Sequence, residues 1–251
     1  MAPVLILDLD NTIIGNITYQ LLAHSLCNKA CKNSTLVTNC YNEKSGVIRP
    51  SFCYFIATIR NKIPDIKIYV YTASQKDWAL KEIKWIEKCC NLKFDRPVLT
   101  RDDCIEMNNS YYKSIKKISK KIKHIERNDI LIIDNNDVFI DCKDSFIKCP
   151  DYNYISFIDM WKLLPKTTLQ KIEVSNFIEK LISEGYVNPY NVENLGENLE
   201  HSVRYVGWFY KKLNKINKIN KKSNTDTFWK QMIKAVNAST TLREVKVAYD
   251  N

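Results

Sequence analysis

Nowhere in the 251 residues does an apolar run approach the roughly 18 positions that a membrane-spanning helix needs. The apolar stretch near the start, Val4-Leu5-Ile6-Leu7, is interrupted by Asp8 too early to form the core of a secretory signal. Cysteine occurs nine times, yet an odd count at irregular spacing is no disulfide framework, and the thiols are expected to be reduced. Zinc knuckles are missing as well. His24, Cys27, Cys31, Cys40 and Cys53 lie close enough in the chain to supply four ligands, but no C-x₂-C pair is among them. Buried free thiols are the commoner use of such residues. These absences exclude membrane-spanning, secreted and disulfide-stapled classes. They leave a soluble intracellular protein, cytoplasmic or nuclear, with no membrane partner.

What is present is positive charge. Lys and Arg number 38 against 28 Asp and Glu, a net charge of +10. Such a balance favours anionic partners: phosphorylated proteins, nucleic acid or acidic surfaces. Residues 1–165 carry 24 basic and 19 acidic side chains and residues 166–251 carry 14 and 9, so the excess is shared and not confined to a tail. With 45% hydrophobic residues the chain provides a real core, as one large domain or a medium domain with an appendage.

Three apolar runs end in polar groups. Val4–Leu7 reads as a strand buried on both faces and stops at Asp8-Leu9-Asp10-Asn11-Thr12. Lys67-Ile68-Tyr69-Val70-Tyr71 stops at Thr72-Ala73-Ser74, and Ile130-Leu131-Ile132-Ile133 at Asp134-Asn135-Asn136-Asp137. Any one of these is adequately explained as a strand ending in turn residues. Three together point to one polar site beyond the carboxyl ends of a parallel sheet, where open α/β sheets bind ligands.

The order Asp-x-Asp-x-Thr, strand-end Thr, Lys113, strand-end Asp resembles the haloacid dehalogenase superfamily of phosphotransferases. Within it, the chain looks like the NLI-interacting-factor-like branch of phosphatases that act on the C-terminal domain of RNA polymerase II. Arg49-Pro50 stands where that branch has an Arg-Pro before a helix, Tyr71-Thr72-Ala73-Ser74 matches its second motif, Arg101-Asp102-Asp103-Cys104 its Arg-x-x-Cys, and Tyr111-Tyr112-Lys113 its lysine motif. The likeness covers about the first two thirds of the chain. It implies a magnesium-dependent phosphatase, with Asp8 as the nucleophile that becomes an aspartyl-phosphate and Asp10 as general acid and base. Thr72 would bind phosphoryl oxygens and Lys113 would supply charge. Asp8, the Asp10 backbone carbonyl and Asn135 would hold Mg²⁺, with Asp134 behind them and Thr12 and Ser74 fixing loop geometry. Lys116 and Lys117 lie close enough to Lys113 that the register stays open. Two departures bear on the substrate: Asn136-Asp137 replaces the branch's Ser-Pro, and Ser114-Ile115 follows the lysine in place of Asp-Leu.

The expected fold is therefore α/β: a Rossmann-like, mainly parallel sheet with helices on both faces, plus a C-terminal helical appendage. A phosphatase core would occupy residues 1–165, with an insert of unassigned role at 15–48, and a basic helical region residues 166–251. Within the core, apolar spacing predicts helices at Thr18–Ala30, after Pro50, at Asp77–Cys90 and at Lys113–Lys123, and short strands at Pro97–Thr100 and Tyr154–Phe157. Beyond Lys166 it predicts helices at Leu169–Ile182, Leu199–Leu213 and Phe228–Val236, without a catalytic constellation. Lys211, Lys212, Lys215, Lys218, Lys221 and Lys222 form an acid-free basic run, read either as a solvated surface or as a docking aid for an anionic partner. The substrate expected is phosphoserine or phosphothreonine in a protein. The alternatives are a polynucleotide or small-molecule phosphatase of the same superfamily and a non-catalytic basic binding module.

Overall fold

The computed structural model describes residues 2–15, 46–122, 125, 129–154, 221–223 and 225–251. The chain forms two compact units, one of residues 1–15, 48–152 and 225–251, the other of residues 16–47 and 153–224. All elements named below belong to the first unit. The expected boundary after residue 165 and the helices expected at 18–30, 169–182 and 199–213 lie outside the described residues.

Four parallel strands make the sheet, in the order β2-β1-β5-β6. They are β1 (Val4–Leu7), β2 (Lys67–Val70), β5 (Ile130–Asp134) and β6 (Phe146–Lys148). Every residue of β1 and β5 is buried, as their unbroken apolar sequences require when both sheet faces are covered. On one face Val4, Ile6, Tyr69, Ile130 and Ile132 pack with Leu99, Phe139, Ile115 and Ile118. On the other, Leu5, Leu7, Ile68, Val70, Leu131 and Ile133 are fully buried as well. In register, Val4 lies beside both Lys67 and Ile130, so β1 holds an interior position and its carboxyl end is flanked by those of β2 and β5.

Helices α1 (Phe52–Lys62) and α2 (Lys76–Cys89) follow the expected periodicity. A hairpin of β3 (Ile105–Met107) and β4 (Ser110–Tyr112) was not foreseen; its two-residue turn, Asn108-Asn109, has both φ angles positive, the geometry that joins tightly twisted strands. The helix expected over Lys113–Lys123 is a single turn, α3 (Ile115–Ile118). Its first residues are held elsewhere: Lys113 donates its amide to Val138 O (2.9 Å) and accepts from Ile140 N (3.1 Å), which keeps the backbone extended there. Pro97–Thr100 is no full strand, since Leu99 alone bridges to Tyr71. Tyr154 is not in a strand and residues 155–157 lie outside the described residues, while β6, formed by Phe146-Ile147-Lys148, was not anticipated.

The C-terminal residues are helical, as expected, and pack into the same unit as the sheet. α4 (Phe228–Asn237) lies against α1 and α5 (Leu242–Asp250) against β5. Trp229 is fully buried, with ring centroids 4.6 Å from Phe55 and 5.2 Å from Phe52. Burying such a ring contributes about 1.5–3 kcal/mol. α5 starts on a capping box, Thr241 with Glu244, which satisfies amides that a helix start otherwise leaves open. One expectation about cysteine is corrected: Cys53 of α1 and Cys90 just past the end of α2 form a disulfide, while Cys104 and Cys149 are buried thiols. A Cys53 so engaged cannot also ligate zinc. The other residues of that proposed cluster lie outside the described residues.

Candidate active site

The polar groups come together because β1, β2 and β5 are neighbours and run the same way. Asp8 follows β1, Thr72 follows β2 by two residues, and Asp134 ends β5. The Asp8 amide donates to the carbonyl of Ile133 at 2.9 Å, continuing the ladder into the site. The chain then turns at Asn11, whose φ of 58° lies in the left-handed region that Asn tolerates better than most residues. That turn returns Thr12 to Asp8. Its hydroxyl lies 3.0 Å from Asp8 Oδ2 and 3.1 Å from Asn135 Oδ1, and it accepts from Asn135 N at 3.1 Å.

Lys113 enters from the end of the hairpin and is 1% exposed. Its ammonium donates to Asp8 Oδ1 (2.6 Å) and to Asp134 Oδ2 (2.7 Å). Of the three lysines considered, Lys113 is the one that contacts Asp8 and Asp134. Lys116 is exposed, and Lys117 donates to the carbonyl of Cys104. Asp134 also accepts from Asn136 N (2.8 Å), and the Asn135 amide donates to Asp151 (2.9 Å), which fixes which way its oxygen faces. Asp151 carries no signal in the sequence, since nothing local distinguishes it from a loop aspartate.

Asp10 feels the charge of Lys113, but the ammonium's hydrogen bonds go to Asp8 and Asp134. Its Oδ2 accepts from Thr72 Oγ1 (3.0 Å) and from Ser74 Oγ (2.6 Å), while Ser74 N donates back to Thr72 Oγ1 (3.1 Å). Ser74 thus does more than shape its loop, since it makes the shorter bond to Asp10. The second oxygen, Asp10 Oδ1, is buried without a hydrogen-bond partner among the described residues.

Three carboxylates, Asp8, Asp10 and Asp134, share one buried cation. Burial and then the charge of Asp134 push Asp8 up to about 7, against the pull of Lys113. Burial raises Asp10 too, against the hydrogen bonds from Ser74 and Thr72. Burial opposes the charge on Lys113, but Asp134 and Asp8 overcome it and hold the ammonium above its ordinary value. The cluster therefore has an excess of negative charge and a set of hard oxygen donors, the Asp8 carboxylate and the Asn135 amide oxygen, drawn to one hydroxyl. Among the described residues no group of three or more His, Cys, Asp or Glu is arranged to hold a metal, so an ion here would rely on Asn135 and backbone oxygen besides Asp8.

A second ion pair, its arginine buried and its aspartate partly exposed, lies under the same loop. Arg49 binds Asp226 through two parallel bonds, Nε to Oδ1 at 2.9 Å and Nη2 to Oδ2 at 2.8 Å. Arg49 was visible in the sequence only as part of an Arg-Pro motif, and its partner, 177 residues away, not at all. Of the basic run, Lys211, Lys212, Lys215 and Lys218 lie outside the described residues, while Lys221 and Lys222 are exposed. Among the described residues no helix is long and apolar enough to cross a membrane.

The chain is similar to the fission yeast RNA polymerase II CTD phosphatase Fcp1, in a variant bound to beryllium fluoride, at 18% identity and a TM-score of 0.38. It is also similar to a second structure of Fcp1, an essential RNA polymerase II CTD phosphatase, at 21% identity and a TM-score of 0.37. Each comparison covers 89% of this chain but only 66% of the other. No curated protein matches. A family described as NLI interacting factor-like phosphatase matches residues 3–181, a stretch that takes in every described strand and the whole Asp8–Asp134 cluster. On that match, extending over well more than half of the sequence, the chain belongs to the NLI interacting factor-like phosphatases.

Proposed function

We propose that the chain is a phosphomonoesterase that hydrolyses phosphoserine or phosphothreonine in a protein, with Asp8 as nucleophile. The observation that carries this reading is the division of labour between two carboxylates two residues apart. Asp8 is held by a buried lysine, whereas Asp10 is held only by hydroxyls and keeps one oxygen free.

Phosphate-monoester hydrolysis is among the slowest uncatalysed reactions, with enzymatic accelerations up to about 10²¹-fold. General acid–base catalysis supplies only about 10²–10⁴ of that. The remainder has to come from covalent attack, positioning and charge. In the first step Asp8 attacks phosphorus, the bond to the leaving oxygen breaks, and Asp10 gives that oxygen its proton. Burial prepares Asp10 for this by favouring its protonated form. In the second step water attacks the phosphorus of the aspartyl-phosphate, Asp10 takes the water's proton, and Asp8 is released with inorganic phosphate. Lys113 neutralises charge beside Asp8. Thr72 turns its hydroxyl from Asp10 to a phosphoryl oxygen, and Ser74 keeps Asp10 in place meanwhile.

The oxygen donors and the negative excess fit Mg²⁺, which binds one or two carboxylates and keeps several waters. Asp8, the Asp10 carbonyl and Asn135 would hold it, with Asp134 behind. When bound, it would offset the repulsion between carboxylate and phosphate. Membership of the NLI interacting factor-like phosphatases supports a phosphoprotein substrate. The test is hydrolysis of an aryl phosphate with Mg²⁺ by the parent and by Asp8→Asn, then side-by-side turnover of phosphopeptides and phosphate-ended oligonucleotides. Activity insensitive to Asp8→Asn would refute the mechanism. Preference for oligonucleotides would move the substrate to nucleic acid, and inactivity on every ester would make the chain a binding module.

A further inference from the structure

Arg49 takes no part in the chemistry just described, yet it meets the reactive loop twice. Its backbone amide donates to Ile13 O at 2.8 Å, and its guanidinium reaches Thr12 O at 3.5 Å, while Ile48 beside it bridges to Ile14. The side chain of Arg49 is 0% exposed, so its charge depends on a partner within the protein. That partner is Asp226, which occupies two guanidinium nitrogens in the bidentate geometry that fixes orientation as well as charge. Phe228 and Tyr152 stack against the same group, 4.6 and 5.6 Å from its centre, and Tyr152 N holds Asn11 O at 2.8 Å. The loop after β1 is thus clamped by residue 49, by residue 152 and, through Arg49, by residue 226.

We infer that Asp226 is a positioning residue for the active site: by fixing Arg49 it holds the Asn11–Ile14 backbone, and so sets Thr12, which orients Asp8 and Asn135. This rests on the function proposed above for Asp8 and Asn135. The link is short. The carbonyl that Arg49 reaches and the hydroxyl that touches Asp8 Oδ2 and Asn135 Oδ1 belong to one residue, Thr12. A displacement of one is passed to the other, and misplacement by roughly 1 Å can cost about 100-fold in rate. The family match ends at residue 181, so this contribution comes from a part of the chain that the match does not reach. The bland alternative is that Asp226 does no more than pin α4 to α1.

Hydrogen exchange of the full chain separates the two, since it reads the loop whether or not the protein turns over phosphate. With Asp226→Asn, exchange in residues 9–14 should accelerate by about ten-fold or more, beyond any change in residues 225–251. On an aryl phosphate kcat should fall by about 10- to 100-fold with KM within about two-fold, and Asp226→Glu should recover much of both. If Asp226→Asn does not fold, Arg49→Met with Asp226→Leu removes both charges together, which cores tolerate far better than removing one. That pair should still loosen residues 9–14. Parental exchange in residues 9–14, with loosening confined to 225–251 and α1, overturns the inference. An inactive parent would refute the proposed function instead, and the exchange result would still decide whether Asp226 holds the loop.

Discussion

Two buried cations flank the loop from Asp8 to Ile14, and they are compensated in opposite ways. Arg49 has one carboxylate, matched to it by two parallel bonds. Lys113 has two carboxylates on it and a third, Asp10, close by, so its surroundings are short of positive charge. Matching yields a rigid joint and no reactivity. Burial first, and then the charge of Asp134, raises Asp8 to about 7, and burial raises Asp10 against its hydroxyl partners, which is costly for folding and would suit the phosphoryl chemistry proposed above. Around one loop, the unmatched cation touches the proposed nucleophile and the matched one touches the loop backbone.

The sharpest way to break this contrast is Asp8→Asn. It removes the proposed nucleophile and should lower kcat by about 10⁴- to 10⁶-fold on an aryl phosphate. It also removes one surplus negative charge, so the thermal midpoint should stay level or rise, which a melting curve reads directly. Lys113→Met deepens the shortage and should destabilise by about 3–5 kcal/mol in urea unfolding at pH 8, with activity lost. Its cost should shrink toward pH 5, where Asp8 takes up a proton more readily.

Glu82 supplies a milder case, a carboxylate with 1% exposure and one oxygen, Oε2, without a partner. Burial first, with a smaller push from Asp10, raises it to about 7. The folded state then holds its proton more tightly than the unfolded chain. Its contribution to stability is fullest below about 4.5 and is lost as pH rises to about 7. Glu82→Gln should therefore stabilise by up to about 3 kcal/mol at pH 8 and change little near pH 4.5. The smallest effect belongs to Asp141, which accepts from Ser114 Oγ, Ile115 N and Lys116 N at the start of α3. Despite some desolvation, these bonds hold it below the ordinary carboxylate value. Asp141→Ala should cost about 1 kcal/mol near neutral pH, as loss of a helix cap does. That difference should fade as pH drops through and below 3.8.

Much of this was legible because it is local. Val4–Leu7 and Ile130–Ile133 announce buried strands, and the residues that end them, Asp8, Asp10, Asp134 and Asn135, are polar at the one place where a parallel sheet gathers a site. Lys113 was legible through its motif, but not its backbone: an isoleucine stripe spelled a helix, and pairing with Val138 and Ile140 kept the chain extended. The β3–β4 hairpin did carry a signal, Asn108-Asn109, two residues that accept positive φ. Strand β6 carried almost none, since three residues are too few to show a period. Asp226 and Asp151 could not be read at all, because their importance lies in partners distant in sequence and nothing beside them is unusual. The pairing of Cys53 with Cys90 is of the same kind.

The interior place of β1 has a consequence for how the protein is made. Val4 pairs with Lys67 and with Ile130, partners that follow it by 63 and 126 residues. At synthesis rates of roughly 5–20 residues per second, β1 is made about 6–25 s before the last residues of its second neighbour are joined. Through that interval Val-Leu-Ile-Leu is an apolar strand with one or both edges unsatisfied, the kind of segment that seeks another chain. Arg49, made early, waits longer still for Asp226. A nascent chain of this protein should therefore lean on chaperones that shield short apolar segments, and a pause in translation between residues 67 and 130 should favour aggregation over catalysis.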